Sequence, residues 1–562
     1  MKKIISIFSV KEKIEYLCLV FGMLFGALLD MSSVMLIVPF INILSGTYRD
    51  EYGSFLGVID INDTSEISNL GIFILLICIT RGIFLPLLLK WQYLFVQKVE
   101  HRYAHDMFIF HLNKPYLQHI YSNSADFVRN MSISLPSVFI AVIMGHLQLF
   151  TEILCCIMIC IFVFYVNFSV ALAYSIFFAI MLVVTNICTK KKLIEKGEKN
   201  EVAQAEILKW LNQSVNNIKL TKIMHKERFF SMHFDEAFNK YLKATMSYQF
   251  ISVLPRYIIE TFVIFTLILL VLLGLELEYS PRDIFYLISA MAFAAFKIMP
   301  SVSRIIGINN SIKFYYPMFC TLYGELICCK QNLIKKDQRG DGNVDINFKS
   351  KINIENISFS YSQSSNLILN NFSATIIQGT MVGIFGKSGS GKTTLIDILL
   401  GLLSPSNGNI FVDGRNIADS ISKWQSKIAY VPQNVMLIDG SIYDNILLGE
   451  EKNEKNLLKV KDVLQKVDLL EYIDKQALGI ETVVGENGAC ISGGQRQRIG
   501  IARALFQNKE VFILDEITSA LDIETEKNIM KTLGKLKLDR TIISVTHSRN
   551  NMEFYDQCIY LD

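Results

Sequence analysis

Apolar residues gather into long runs over the first three hundred positions, and into short alternating runs after about residue 350. Crossing about 30 Å of hydrocarbon takes about 20 mostly apolar residues in a helix. Six runs meet that length, at about 15–41, 69–89, 137–166, 168–188, 252–275 and 284–307. Asp30 is the one charge inside the first run and Arg81 lies in the second; Asn167 marks a tight turn between the third and fourth. The first run is too long, and too poorly flanked by small residues, for a cleaved signal peptide. Between the fourth and fifth runs, Ala203, Ile207, Leu211 and Val215 recur every four residues, so the spans are expected to continue as helices into the cytosol. In the external stretch 42–68, Tyr48, Tyr52, Phe55 and Ile59 suit an interfacial amphipathic helix, while Gly53 and Gly57 suit an ordinary loop equally well. Residues 331–350 are polar, with Lys335, Lys336, Asp337, Arg339 and Asp341, and read as a linker. From Ile352 onward, β-rich runs alternate with amphipathic helical ones. The expected architecture is an all-α polytopic membrane domain over 1–330, the linker, and an α/β domain over 351–562.

Composition agrees with that division. Of 562 residues, 51% are hydrophobic and 19% charged, below the roughly 25% charge of soluble domains. A purely soluble enzyme and a disordered chain are both disfavoured. The net charge of +3 is too mild to make nucleic acid the main partner. Eleven scattered cysteines form no framework, and Cys78, Cys155, Cys156 and Cys160 sit in apolar runs where a small hydrophobe is expected. Lys2, Lys3, Lys90, Lys98, Arg102, Lys190, Lys191 and Lys192 flank one side of the spans, whereas the opposite connections are acidic (Asp50, Glu51, Asp60, Asp63, Glu276, Glu278). The basic side is cytosolic, so the N-terminus and everything after the sixth span are expected in the cytosol.

The second half carries recognisable chemistry. Gly386-Lys387-Ser388-Gly389-Ser390-Gly391-Lys392-Thr393 follows the strand-like Met381–Phe385 and opens the helix-like run from Thr394. Such a loop turns its backbone N–H groups onto phosphate oxygens. Lys392 supplies a point charge to the β- and γ-phosphates, and the Thr393 hydroxyl can ligate Mg²⁺. Val511–Leu514 is an apolar strand ending in Asp515 and Glu516; the first can hold Mg²⁺, the second can polarise an attacking water. ATP and Mg²⁺ are therefore the expected ligands of an α/β P-loop ATPase domain.

Ile491-Ser492-Gly493-Gly494-Gln495-Arg496-Gln497-Arg498 resembles the signature sequence of ABC-transporter ATPases, with Ile491 where Leu is commoner. Other motifs of that family stand in order. Tyr361 resembles the adenine-stacking aromatic, Gln433 the Q-loop glutamine, Val484-Gly485-Glu486 the exporter segment before the signature, Ser519-Ala520-Leu521-Asp522 the D-loop, and His547 the switch histidine. The resemblance implies a type I exporter-like half-transporter that works as a homodimer. It places nucleotide on Tyr361, Gly386, Ser388, Gly389, Ser390, Gly391, Lys392, Thr393 and Thr394, with Ser492, Gly493, Gly494 and Gln495 reaching across in trans. Glu516, His547 and Gln433 would be catalytic, and Thr393, Gln433 and Asp515 would hold the metal. Many members continue past the switch histidine with further strands and a terminal helix, whereas this chain ends at Asp562, which leaves packing at that end open. No peptidase precedes the first span, which disfavours a peptide-processing exporter.

For the cargo, the cations Arg81, Arg256, Lys297 and Arg304 in or near the spans are the candidates. A basic cavity between spans 2, 5 and 6 would take an anionic headgroup; equally, Arg256 and Arg304 can snorkel, and Glu260 is a ready partner for Arg256. Pro255–Glu260, Lys297–Ile305 and Asn217–Lys222 resemble segments of the PglK-type flippases of bacterial protein N-glycosylation, although Lys297 stands where Arg is expected. That resemblance implies a polyprenyl-pyrophosphate glycan as cargo, moved across the bacterial cytoplasmic membrane among its lipids. A lipid A-type lipid, a drug or a peptide is the alternative.

Overall fold

The computed structural model describes residues 2–44, 64–166, 168–276, 281–338, 345–361, 367–387, 389–517, 523–537, 540–546 and 552–561. The chain divides into two compact units, Met1–Asn113 with Ser122–Ile334, and Lys114–Tyr121 with Lys335–Asp562.

The described residues of the first unit are helical but for short turns. Its long helices are α1 (Val10–Leu44), α2 (Thr64–Leu112), α4 (Gly145–Val166), α5 (Phe168–Asn216), α7 (Glu227–Glu276) and α8 (Pro281–Gln338), with the short α6 (Ile218–Ile223) between α5 and α7. The short α3 (Tyr116–Tyr121), between α2 and α4, belongs to the second unit. Every one of the six apolar runs lies on helix. Before α4, helical backbone already begins at Ser124, and its ladder widens into π turns at Asn130–Ser134 and Phe139–Met144. Among the described residues, Val10–Ser32, Ile67–Leu112, Ser124–Ile161 and Glu227–Leu269 are long and apolar enough to cross a membrane. The turn expected at Asn167 and the external Tyr48–Ile59 segment lie outside the described residues.

Helix length carries the argument further. α8 has 58 residues, about 87 Å at 1.5 Å per residue, nearly three times the hydrocarbon thickness. α5 and α7, with 49 and 50 residues, likewise extend far beyond a bilayer, as the period of Ala203–Val215 requires. Inside the bundle Leu19, Met23, Phe95, Phe139 and Ile143 are fully buried, while Phe21, Leu75, Ile79, Phe265 and Ile268 are exposed. Apolar side chains on both the inner and outer faces suit a bundle bathed in lipid.

The expected linker starts later than its polarity suggests, since α8 runs on through Gln338. Leu333, Lys335, Lys336 and Gln338 are good helix formers, and extending an existing helix avoids the cost of nucleation. A run of polar residues does not by itself end a helix, and here the helix continues through it.

The second unit holds two sheets. β1 (Lys351–Phe359), β2 (Leu369–Ile377), β4 (Asn407–Val412) and β5 (Arg415–Asn416) form an antiparallel sheet in the order β2-β1-β4-β5. β3 (Met381–Gly386), β6 (Ile428–Val431), β7 (Val511–Asp515), β8 (Thr541–Val545) and β9 (Gln557–Leu561) form a parallel sheet in the order β6-β7-β8-β3-β9. β7 and β8 are buried along their whole length, as parallel strands covered on both faces must be. The question of packing at the end of the chain has a local answer: β9 pairs with β3 from Val382 to Gly386.

Candidate nucleotide-binding and catalytic site

In a parallel sheet every strand points the same way, so the loops that follow the strands collect at one edge. The phosphate loop follows β3, Gln433 follows β6, Asp515 and Glu516 end β7, and Thr546 follows β8. Residues spread over more than 150 positions thus meet because β6, β7, β8 and β3 are neighbours.

The phosphate loop is shaped by its glycines. Gly391 has φ +91°, and a Cβ there would lie 3.0 Å from Ile368 Cγ2. A side chain would be strained by the backbone and crowded by β2 alike. Gly391 caps the helix α9 (Lys392–Leu399), so the free N–H groups of its first turn face the loop. Lys392 is only 6% exposed, and its Nζ donates to Gly386 O and Lys387 O at 2.8 Å each. Burial pushes its pKa down, and the carboxylates of Glu516 and Asp515 oppose that shift. The ammonium is held on main-chain oxygens at the mouth of the loop, where an arriving phosphate would compete for it.

Across the sheet edge, Asp515 is buried at 6% exposure. Glu516 adopts φ +48°, a left-handed conformation uncommon for a non-glycine residue and often found where a side chain must be aimed. Its N–H donates to Val545 O at 3.1 Å, and Gln433 Nε2 donates to Glu516 Oε2 at 2.7 Å. Gln433 and Glu516, distant in sequence, are therefore in direct contact. Tyr361 packs edge-on against Phe359, with ring centroids 5.1 Å apart.

The signature segment starts a helix. Ser492 caps α10 (Gly493–Gln507) in a reciprocal capping box: Gln495 N donates to Ser492 Oγ at 3.3 Å, and Ser492 N to Gln495 Oε1 at 2.9 Å. The N–H groups of Gly493 and Gly494 stand in the first turn, where no carbonyl of the helix can reach them. Gly389, Ser390, Thr393 and Thr394 lie in or just after the phosphate loop as expected. Ser388, the Ser519–Asp522 segment and His547 lie outside the described residues.

Two features went unnoticed in the sequence. Asp397, on α9 and 7% exposed, has its carboxyl pushed up to about 6 by burial and by the Asp515 charge. Within the same unit, Leu117 of α3 packs against the sheet core, and Tyr116 lies within electrostatic reach of Asp397 and Tyr361. The only signal was local, Pro115 starting a short helix after α2; nothing along the chain links it to residue 397.

The candidate cargo cations have partners. Arg81 Nη2 meets Asp30 Oδ1 at 2.7 Å. Arg304 grips Glu152 with two bonds of 2.6 and 3.0 Å and also donates to Ser301 Oγ at 3.1 Å. Arg256 Nε donates to Glu260 Oε1 at 2.8 Å, the i,i+4 partner that its spacing offered. Asp30 also acts electrostatically on Arg304, so the Asp30–Arg81 and Glu152–Arg304 pairs adjoin. The expected basic cavity is, among these described side chains, a set of compensated pairs. The Lys297 side chain is outside the description, although its backbone is helical.

Comparison with known proteins places both halves. Residues 16–296 match the family model of the ABC transporter transmembrane region, and residues 369–519 that of the ABC transporter. The chain is 39% identical over 215 residues to an ATP-dependent lipid A-core flippase of Haemophilus influenzae, covering 38% of this chain and 36% of that protein. It is 30% identical over 346 residues to an ATP-dependent lipid A-core flippase of Alkalilimnicola ehrlichii, covering 61% and 57%. With the heterocyst differentiation ATP-binding protein HepA of a Nostoc species it shares 28% identity over 411 residues, 72% and 65% of the two chains. The match thus spans from about a third to just under two thirds of these relatives' length. In fold it is similar to a bacterial Atm1-family ABC exporter solved with ATP bound, with a TM-score of 0.77, 19% identity, and 97% and 93% of the two chains covered.

Proposed function

The chain belongs to the ABC transporter family, and on that premise we propose that it is an ATP-driven exporter of a lipid with a phosphorylated glycan headgroup. It hydrolyses ATP at the edge of the parallel sheet and couples the cycle to movement of lipid from the cytosolic to the external leaflet of the inner membrane. The ATPase domain stands on the cytosolic side. Two copies complete the sites, the signature helix α10 of one meeting the phosphate loop of the other.

Each residue has a role that its environment makes reasonable. Lys392 exchanges its main-chain carbonyl partners for phosphate oxygens, so its charge enters the site without a carboxylate to displace. The oxygen donors Thr393, Asp515 and Gln433 suit a hard divalent cation such as Mg²⁺, which when bound neutralises charge on the β- and γ-phosphates. Glu516 accepts the proton of the attacking water and Gln433 orients the Glu516 carboxylate. Tyr361 offers a face to adenine, Ser492 with the N–H groups of Gly493 and Gly494 contacts the γ-phosphate in trans, and His547 completes the site from the loop after β8.

For the cargo, one observation carries the reading. The 30% identity to a lipid A-core flippase runs over 346 residues, more than the ATPase domain over 351–562 can hold, so it extends into the membrane half. This favours the lipid A-type lipid, the alternative at the sequence level, over the polyprenyl-pyrophosphate glycan. The second reading keeps the support of the Pro255–Glu260, Lys297–Ile305 and Asn217–Lys222 segments. Both cargoes carry phosphate on a glycan-bearing headgroup. Proteoliposomes containing the purified protein, offered a lipid A-type lipid, a polyprenyl-pyrophosphate glycan and a neutral drug in parallel, separate the readings. ATP-dependent flipping of the lipid A-type lipid is expected, and stimulation by the neutral drug alone overturns both lipid readings.

A further inference from the structure

A second polar cluster lies between α5 and α8, outside the nucleotide site and apart from the ion pairs described above. The two helices come very close at Gly197, where a Cβ would collide with Phe314 O at 2.0 Å. One residue before Phe314, the Lys313 side chain is 8% exposed. Its Nζ donates to Thr189 Oγ1 at 3.2 Å and reaches Asn186 O at 3.5 Å. The single proton of Thr189 Oγ1 is shared between Thr185 O at 2.7 Å and Asn310 Oδ1 at 3.2 Å. Asn310 is 1% exposed, and its amide nitrogen has no hydrogen-bond partner among the described residues. Asn309 meets the exposed Asn186 at the outer edge of the cluster, with the amides 3.4 Å apart.

The composition of this cluster is one-sided. Among the described residues no carboxylate lies within ion-pair distance of Lys313, and the charged group acting on it is another cation, Lys190. Buried charges are ordinarily paired, and buried amide nitrogens ordinarily donate. Here one ammonium with a proton to spare and one amide with two stand side by side at the Thr189 hydroxyl. The missing partner is an anion with several acceptor oxygens, able to bridge groups three residues apart on α8.

Depth identifies which anion. Thr189 directly follows the fourth apolar run, at the start of the basic stretch Lys190-Lys191-Lys192. Lys313 lies six residues past the end of the sixth run, about 9 Å along the helix. Both positions mark the cytosolic membrane boundary, the level of lipid phosphates, and basic pockets between membrane helices on that side take anionic headgroups. We propose that Lys313, Asn310 and Thr189 form a phosphate-binding site at the cytosolic boundary of the membrane unit. The site stands whether the molecule bearing the phosphate is transported cargo or resident lipid, so it does not depend on the lipid A-type reading.

The test uses the delipidated full-length protein. Native mass spectrometry measures binding of phosphatidylglycerol and phosphatidylcholine, with inorganic phosphate as a competitor. Phosphatidylglycerol is expected to bind preferentially. Lys313→Met should weaken it roughly tenfold, the scale of one buried charge-assisted hydrogen bond. Lys313→Arg should recover most of that loss, and the control Lys191→Met, at an exposed position on α5, should change little. Thr189→Val, a milder change, should weaken binding in the same direction and covers the case where Lys313→Met misfolds. Competition by millimolar inorganic phosphate would support the phosphate site and assign it to a soluble ligand; lack of competition, with the lipid preference intact, assigns it to a headgroup. Equal binding of the two lipids, with Lys313→Met and Thr189→Val both matching wild type, overturns the proposal.

Discussion

Removing the Glu152 carboxylate separates two roles for Arg304. The pair is bidentate at 2.6 and 3.0 Å, which puts the charge centres about 4 Å apart, worth about 4 kcal/mol at an effective dielectric of 20. The Arg304 side chain is 55% exposed and that of Glu152 18%, so screening reduces the interaction to about 1 kcal/mol. Glu152→Ala and Arg304→Ala should each lower the thermal midpoint of the protein in nanodiscs by a few degrees. The double variant should lose less than the two single losses added together, because it strands neither charge, with a coupling of about 1 kcal/mol. Transport then decides what the pair is for. If Arg304 holds cargo, the double variant regains stability but not ATP-dependent flipping, while basal ATP hydrolysis persists. Strictly additive losses of stability would refute the coupling worked out above. Recovery of flipping along with stability would refute a cargo role and leave Arg304 as a brace between α4 and α8.

Three further outcomes follow from the nucleotide site. Glu516→Gln should keep ATP binding yet slow hydrolysis by about 10²–10⁴-fold, the usual contribution of a general base, as read by nucleotide binding beside phosphate release. Gly391→Val forces a β-branched residue to φ +91° beside Ile368, so ATP affinity measured by fluorescent-nucleotide titration should collapse while the membrane helices remain folded by circular dichroism. Asp397 has a native pKa raised to about 6 from an ordinary 3.8, so the folded state binds the extra proton between those values. Its favourable contribution is present at low pH and disappears as pH rises through about 6. Asp397→Asn should therefore gain on the order of 1–3 kcal/mol relative to wild type at pH 7.5, and little at pH 4. Thermal melts at both pH values check this.

Much of the nucleotide site could be read along the chain because its chemistry is local. The phosphate loop needs glycines, a lysine and a hydroxyl within eight positions, and the Ser492–Gln495 capping box closes within four. The helical membrane domain was equally legible, since a bilayer selects for length and apolarity without reference to neighbours. Long-range pairing was less so. Glu260 could be anticipated for Arg256 from the turn of one helix, whereas Glu152 lies 152 positions from Arg304 and only helix packing brings them together. Asp397 looked like an ordinary helix residue until burial beside Asp515 showed its raised pKa.

Periodicity and motif spacing were enough to define a helical membrane domain and an ATPase domain with its phosphate loop, because each depends on side chains within a few turns of one another. Tertiary structure decided which charges compensate each other. It turned four candidate cargo cations into three ion pairs and one undescribed side chain, and it set Lys313 in a buried cluster with no acid among the described residues. The physical reason is that the cost of a buried charge depends on what lies within a few ångströms in space, and those neighbours come from helices whose sequence separation carries no record of their meeting.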